Sequence, residues 1–174
     1  MTADVRGRMR AALGTAAFVV FGGPALAAGL GPWLVTRWRE HPAFLGFEPF
    51  RWIAVGLLVA GFAVAVDGWV RFVIQGRGTP APTAAPTQLV VTGLYRFVRN
   101  PMYVGVLALV VGQALLFGSW PLLGYAAGLW LAFHLFVVLY EEPTLRRRFG
   151  PSYVAYRESV PRWIPRRAGH GVPS

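Results

Sequence analysis

Residues 101–140 read PMYVGVLALVVGQALLFGSWPLLGYAAGLWLAFHLFVVLY, a stretch without a formally charged side chain. As one straight helix it would extend about 60 Å, twice the thickness of the hydrocarbon core of a bilayer. The stretch must therefore turn back on itself, and the cluster of helix-breaking residues in the right place is Gly118-Ser119-Trp120-Pro121. The sequence predicts two membrane spans here, at about 102–117 and 121–140.

Two more apolar segments precede this pair. Residues 11–36 are uncharged and exceed both the roughly 20 residues that cross a bilayer and the apolar core of a signal peptide, although a cleaved signal peptide remains the alternative. The segment 52–74 contains Asp67 and Arg71, whose spacing of four predicts an ion pair on one helical face. We expect an all-α fold, a polytopic membrane helical bundle of about four transmembrane helices with an interfacial C-terminal segment, 141–174.

The overall composition agrees with a membrane protein of one domain, 1–174. Hydrophobic residues make up 55% of the 174 residues and charged residues 14%, too apolar a balance for an ordinary soluble domain. Cysteine is absent, which excludes disulfides, thiolate metal sites and cysteine nucleophiles. Since no motif of paired histidines occurs either, we expect no metal site.

The arginines indicate the orientation. All 17 basic residues are Arg, the net charge is +10, and most of this charge lies in the N-terminus, the connector 76–100 and the tail. By the positive-inside rule we expect a multi-pass protein, in a bacterial inner membrane, with both termini cytoplasmic. The connector and the tail then share one membrane surface, where a site could form. The arginines also suit anionic lipid headgroups, and no nucleic acid partner is expected.

Adjacent carboxylates follow the last predicted span. Glu141 and Glu142 are expected at a helix C-terminus, where the helix dipole disfavours negative charge. They either pair with Arg146 and Arg147 in solvent or bind a cationic ligand, since ionisable groups at membrane depth are usually functional. His134 lies two helical turns before Glu141 and is expected on the same face, as a packing residue or as part of a site.

The stretch LVVTGLYRFVRNPMYVG, residues 89–105, is unlike an ordinary loop. Asn100 and Pro101 predict the start of a helix, with Asn at the N-cap and Pro at the first helical position. That explanation leaves the two Tyr and two Arg residues of the stretch unexplained. The tail carries a second dense motif, EEPTLRRRFGPSYVAYRESVPRWIP, at residues 141–165.

Together these two motifs resemble the membrane methyltransferases related to isoprenylcysteine carboxyl methyltransferase and the phospholipid N-methyltransferases. The resemblance covers residues 79–165. It implies an enzyme that uses S-adenosylmethionine at the cytosolic face, releases S-adenosylhomocysteine and methylates a lipid-like or other apolar acceptor that arrives from the bilayer. The implied cofactor contacts are Thr87, Gln88, Leu89, Val90, Tyr95, Asn100, Pro101, Met102, Tyr103 and Glu141.

The candidates for a catalytic role are Glu142, His134 and Arg99. An acceptor that must lose a proton needs a base, which Glu142 or His134 would supply. The eukaryotic carboxyl methyltransferases have an Arg assigned to the substrate carboxylate where this chain has Val137, which favours an acceptor without a carboxylate. The alternatives are a small-thiol methyltransferase and a non-catalytic membrane scaffold, and the oligomeric state stays open.

Overall fold

The computed structural model of the protein describes residues 23–39, 42, 48–76 and 89–165. Within these residues the chain forms helices joined by turns, without a β-strand, which confirms the predicted all-α class for this part. The start of the first predicted span, much of the connector with Thr87 and Gln88, and the chain from residue 166 onward lie outside the described residues.

The described residues contain six helices, numbered α1 to α6 in chain order. Helix α1 comprises Gly23–Ala25, a π-helical turn Leu26–Leu30 and Gly31–Thr36; α2 is Pro49–Gly76; a 3-10 turn Gly93–Arg96 precedes α3, Pro101–Phe117; α4 is Trp120–Phe136 with a π-helical turn Val137–Glu141; α5 is Glu142–Phe149 and α6 is Pro151–Ser159. The predicted reversal is confirmed, because α3 ends at Gly118 in the left-handed conformation (φ 63°) and α4 begins two residues later.

Two helices in the described residues are long and apolar enough to cross a membrane, Pro49–Arg71 in α2 and the continuous helix Trp120–Phe149. Helix α3 is a shorter apolar helix of 17 residues. Large apolar side chains point outward from the two long helices, among them Trp52 (78% exposed) and Leu139 (72% exposed), as expected of surfaces that face lipid. The count of four spans stays a prediction.

Helices α2 and α3 pack through a very close backbone contact. A Cβ atom built on Gly105 would lie 2.6 Å from the backbone nitrogen of Ala65 and 2.7 Å from the carbonyl oxygen of Gly61. Small residues at this interface let the two backbones approach each other, as is common between membrane helices. This contact fixes where α3, and the connector before it, lies against α2.

The π-helical turn in α1 leaves backbone carbonyls that other helices satisfy. Pro32 has no N–H, so the carbonyl of Ala28 lacks its usual helical donor. The side chain of Gln113 in α3 donates to that carbonyl at 2.7 Å, and the Tyr125 hydroxyl of α4 donates to the Ala27 carbonyl at 3.0 Å. Gln113 and Tyr125 therefore bind α1 to the α3–α4 hairpin.

The predicted pair in α2 is confirmed. Arg71 Nε lies 2.9 Å from both carboxylate oxygens of Asp67, one helical turn away. Each side chain is 35% exposed, so this pair resembles a surface ion pair and contributes little to stability. Arg71 also packs against Gly93, where no Cβ would fit, so it helps to position the 3-10 turn.

One expectation about the tail is wrong: Glu141 and Glu142 do not lie at a helix C-terminus. The helix continues to Phe149 and ends at Gly150, whose φ is +52°. Pro143 lacks the N–H that an α-helix would use at this point, and the preceding π turn closes with a bond from the Glu142 N–H to the Val137 carbonyl. The carboxylates therefore project from the middle of a long helix.

Candidate functional site

The tail folds back over the connector and forms a second small core. Tyr153, Tyr156 and Val160 are buried there against apolar side chains that include Leu89 and Val91. Burial raises the pKa of Tyr156, so its hydroxyl stays protonated and donates to the backbone carbonyl of residue 95 at 2.8 Å. The predicted meeting of connector and tail is thus present in the described residues.

Asn100 ties the same two segments together. It occupies the N-cap position of α3, with Pro101 next in the helix as predicted, but its side chain makes no capping hydrogen bond. The Asn100 amide instead donates to the backbone carbonyl of Arg162 at 3.1 Å. The capping role expected for the side chain is wrong: its amide donates to the returning tail, and its oxygen accepts no hydrogen bond from the first turn of α3.

Glu142 forms an ion cluster with two arginines from distant parts of the chain. Arg99 Nη1 lies 2.9 Å from Glu142 Oε1, while Arg162 contacts the two carboxylate oxygens at 2.6 and 3.0 Å. The Glu142 and Arg99 side chains are only 12% and 11% exposed. These partners replace Arg146 and Arg147, the pairing considered from the sequence, and the cluster joins the end of the connector, α5 and the tail.

Glu141 has a very different environment from its neighbour. Its carboxylate is partly buried and accepts a hydrogen bond from the Tyr103 hydroxyl at 3.3 Å. Within the described residues no arginine forms an ion pair with it. The Nε–H of Arg99 is also buried without a hydrogen-bond partner in the described part of the chain. A negative and a positive group are thus each incompletely satisfied.

Both groups line one small cavity. It measures about 30 Å³, and its walls include Arg99, Asn100, Val137 and Glu141. That volume holds roughly one water molecule or a chemical group of similar size. Val137 is 1% exposed and gives this wall an apolar surface.

His134 belongs to an aromatic cluster with Trp130 and Trp163. Its Nδ1 accepts a hydrogen bond from Trp163 Nε1 at 3.2 Å, and its ring stacks on Trp130. The expectation that His134 and Glu141 share a face assumed an uninterrupted α-helix. The π turn Val137–Glu141 interrupts the α-helical spacing, so Glu141 does not lie where two regular α-helical turns after His134 would place it. Tyr103 contacts both groups of residues, since its ring lies 6.5 Å from that of Trp163 and its hydroxyl donates to Glu141.

The remaining predicted contacts are dispersed along the connector. The hydroxyl of Tyr95 donates to the carbonyl of Gly68 at 3.2 Å, and Met102 packs against the same glycine in α2. Val90 and Pro101 are buried. The structure thus gathers five predicted residues at one place: Arg99, Asn100, Tyr103, Glu141 and Glu142.

Two residues of this site do not follow from the sequence. Tyr153 accepts a hydrogen bond from Arg99 at 3.4 Å, and Trp163 contacts both His134 and Tyr103. Both belong to the motif EEPTLRRRFGPSYVAYRESVPRWIP, whose density of aromatic residues was the available signal.

Comparison with known proteins gives matches to methyltransferases. Residues 51–152 match the family of phospholipid methyltransferases. The protein-S-isoprenylcysteine O-methyltransferase of Schizosaccharomyces pombe is 38% identical over 78 residues, which cover 44% of this chain and 33% of that protein. The protein-S-isoprenylcysteine O-methyltransferase B of Arabidopsis thaliana is 35% identical over 79 residues, covering 45% of this chain and 40% of that protein.

The matched part spans less than half the length of either relative. No solved structure is significantly similar to the chain. The family match, however, takes in more than half of the chain, from the start of α2 into α6, and includes Arg99 and Glu141, which line the small cavity. This protein therefore belongs to the phospholipid methyltransferase family.

Proposed function

We propose that this protein transfers a methyl group from S-adenosylmethionine to a lipid-like or other apolar acceptor at the cytosolic membrane interface. The observation that carries the proposal is the pair of groups at the 30 Å³ cavity: the carboxylate of Glu141, which accepts a single hydrogen bond from Tyr103, and the Nε–H of Arg99, which has no partner in the described residues. A cofactor with an amino-acid end brings an ammonium and a carboxylate together. Such an end would satisfy both protein groups with charge-assisted hydrogen bonds.

The residues present fit this cofactor in chemistry. The cavity admits a group about the size of an ammonium, so Glu141 would hold the ammonium at the amino-acid end of the cofactor. The adenosyl part would contact the connector at Thr87, Gln88, Leu89 and Val90, as the family resemblance implies. Tyr103 holds the Glu141 carboxylate in place, and Met102 packs the start of α3 against Gly68 of α2.

The reaction requires little acid–base chemistry from the protein. S-adenosylmethionine carries its methyl group on a sulfonium, which is already a good leaving group, so catalysis can rest on positioning and on exclusion of water. The tail supports both, since its aromatic core and the Glu142 cluster close the connector from one side. Glu142 and Asn100 then act as positioning residues.

A second candidate, methylation of a small thiol, is favoured by the state of the two candidate bases. Glu142 is paired with two guanidinium groups, whose positive charge makes it a poor proton acceptor, and His134 Nδ1 already accepts a hydrogen bond from Trp163. An acceptor that ionises on its own, such as a thiol, needs neither base. Incubation with labelled cofactor and either lipid extract or small thiols separates the two candidates by which fraction gains the label.

Cofactor binding is tested by titration calorimetry with S-adenosylhomocysteine on the purified full chain. Glu141→Gln removes the charge at nearly constant shape and should weaken binding by about 2 kcal/mol, roughly thirtyfold. Glu158→Gln, an exposed glutamate in α6, is the matched control and should bind like the wild type. Wild-type affinity in a folded Glu141→Gln protein would show that the assigned role is wrong. Absence of binding to the wild type would favour the scaffold alternative.

A further inference from the structure

A short irregular segment, residues 160–165, follows α6. Its first residue is fixed, since Val160 is 1% exposed and its N–H donates to the Tyr156 carbonyl at 3.0 Å. The next three residues each make a hydrogen bond to another part of the chain. These three residues, 161–163, are called the strap below.

The strap is bonded to residues that line the small cavity. The backbone N–H of Arg99 donates to the Pro161 carbonyl at 2.9 Å, and the Asn100 amide donates to the Arg162 carbonyl at 3.1 Å. The Arg162 guanidinium pairs with Glu142. Arg99, Asn100 and Glu142 all line the 30 Å³ cavity. The strap therefore holds part of the wall of this cavity in place.

A larger cavity of about 590 Å³ adjoins the same wall. Glu142 and Tyr153 line both cavities, and Arg162 of the strap lines the larger one, where it pairs with Glu142. The larger volume is within the range of small-molecule sites, so a cofactor can pass through it. Displacement of Arg162 from Glu142 would open the small cavity toward this space.

Trp163 anchors the far end of the strap through a single hydrogen bond. Its Nε1 donates to His134 Nδ1 of α4 at 3.2 Å, and the two rings lie 6.1 Å apart. An indole has one N–H, so the Trp163 side chain has no second donor that could replace this bond. The next residue, Ile164, is 77% exposed, so the packed part of the described tail ends at Trp163.

We propose that the strap is a gate for the cofactor and that the hydrogen bond between Trp163 and His134 sets how often it opens. In the closed state the strap holds the wall of the small cavity. In the open state Arg162 leaves Glu142 and the two cavities join. Trp163 and His134 are then positioning residues. The passage of the cofactor rests on the function proposed above, whereas the opening of the strap does not.

Opening is measured by hydrogen exchange at the Arg99 amide, whose hydrogen bond to Pro161 is lost when the strap lifts. Trp163→Phe and His134→Phe each remove the anchoring bond and keep an aromatic ring. Each should raise the exchange rate about fivefold, as expected for the loss of one hydrogen bond, and the double variant should add little. Trp130→Phe is the matched control, since Trp130 stacks on His134 and this change leaves the anchoring bond intact.

Cofactor exchange is measured by surface plasmon resonance, with S-adenosylhomocysteine passed over the immobilised full chain in detergent. A gate changes passage in both directions. Trp163→Phe should therefore raise the association and dissociation rates by the same factor, about fivefold, and leave Kd within about twofold of the wild type. A residue that only shapes the binding surface would change Kd instead.

Each outcome decides the proposal. Unchanged exchange at Arg99 in both single variants, or an equal rise in Trp130→Phe, would overturn the strap as a segment that opens. Faster exchange with unchanged binding rates, or a weaker Kd through faster dissociation alone, would overturn the gate. Absence of binding to the wild type would overturn the proposed function together with the gate, whereas hydrogen exchange would still decide whether the strap opens.

Discussion

Replacing Glu142 with Gln should destabilise the protein much more than the same change at Glu141. Glu142 joins the start of α3 to the tail through contacts of 2.9, 2.6 and 3.0 Å with Arg99 and Arg162. Removing one member of a buried ion pair leaves an uncompensated charge and costs about 3 to 5 kcal/mol. Arg99 is 11% exposed, so after the change its charge would stay buried without a carboxylate partner. Arg162 is 30% exposed, so its charge can partly turn to water.

The lower end, about 3 kcal/mol, is therefore expected for Glu142→Gln. For a chain of this size it corresponds to a fall of about 6 to 12 °C in Tm. The assay is thermal unfolding of the purified protein in detergent, followed by tryptophan fluorescence. Arg162→Gln alone should lower Tm less, because Arg99 keeps its partner.

Glu141→Gln is the matched control, since it makes the same chemical change one residue away. The structure gives Glu141 one hydrogen bond from Tyr103 and, in the described residues, no ion pair, so Tm should stay the same or rise. If Glu142→Gln leaves Tm within about 2 °C of the wild type, or if both variants shift it equally, the ion cluster does not hold the tail and the reasoning is refuted.

Three further predictions concern packing, topology and the acceptor. Gly105→Ala should lower the free energy of unfolding by about 1 to 3 kcal/mol in thermal unfolding, because its Cβ would meet the α2 backbone. The control Gly124→Ala, whose Cβ would have no atom within 4 Å, should be neutral, and equal effects of the two changes would contradict the close contact. Trp120 is 66% exposed and Ser152 is also exposed. Single cysteines at these two positions should react with an impermeant maleimide from opposite sides of the membrane, and labelling of both from one side would refute the predicted topology. Since the wall at Val137 offers no cation, N-acetyl-farnesylcysteine should be a poorer acceptor than a lipid without a carboxylate in a methyl-transfer assay, and the reverse order would overturn this specificity.

The site was only partly predictable from the sequence. The two motifs identify the connector and the tail correctly, and the structure brings five of their predicted residues together. The partners of Glu142 were not predictable, because Arg146 and Arg147 are as suitable chemically as the arginines that actually pair with it. Thr87 and Gln88 lie outside the described residues, so their cofactor contacts stay predictions.

Local patterns by themselves determined the helices. The charge-free run 101–140 with its central Gly-Ser-Trp-Pro is sufficient for a helical hairpin, since hydrophobicity and turn chemistry act over a few residues. The Asp67 and Arg71 pair follows equally from a spacing of four on one helix. Both outcomes depend only on neighbours in the chain.

Contacts between distant segments were decided by the tertiary structure alone. Gln113 reaches Ala28, 85 positions away, because a proline leaves that carbonyl without a donor and α1 lies against α3. The same holds for Glu141 and Glu142, which are identical side chains: the π turn and the returning tail place one in an ion cluster and the other beside a small cavity. A sequence pattern carries residue type and spacing, whereas a site depends on which side chains meet after packing, and here that selection separates two adjacent glutamates.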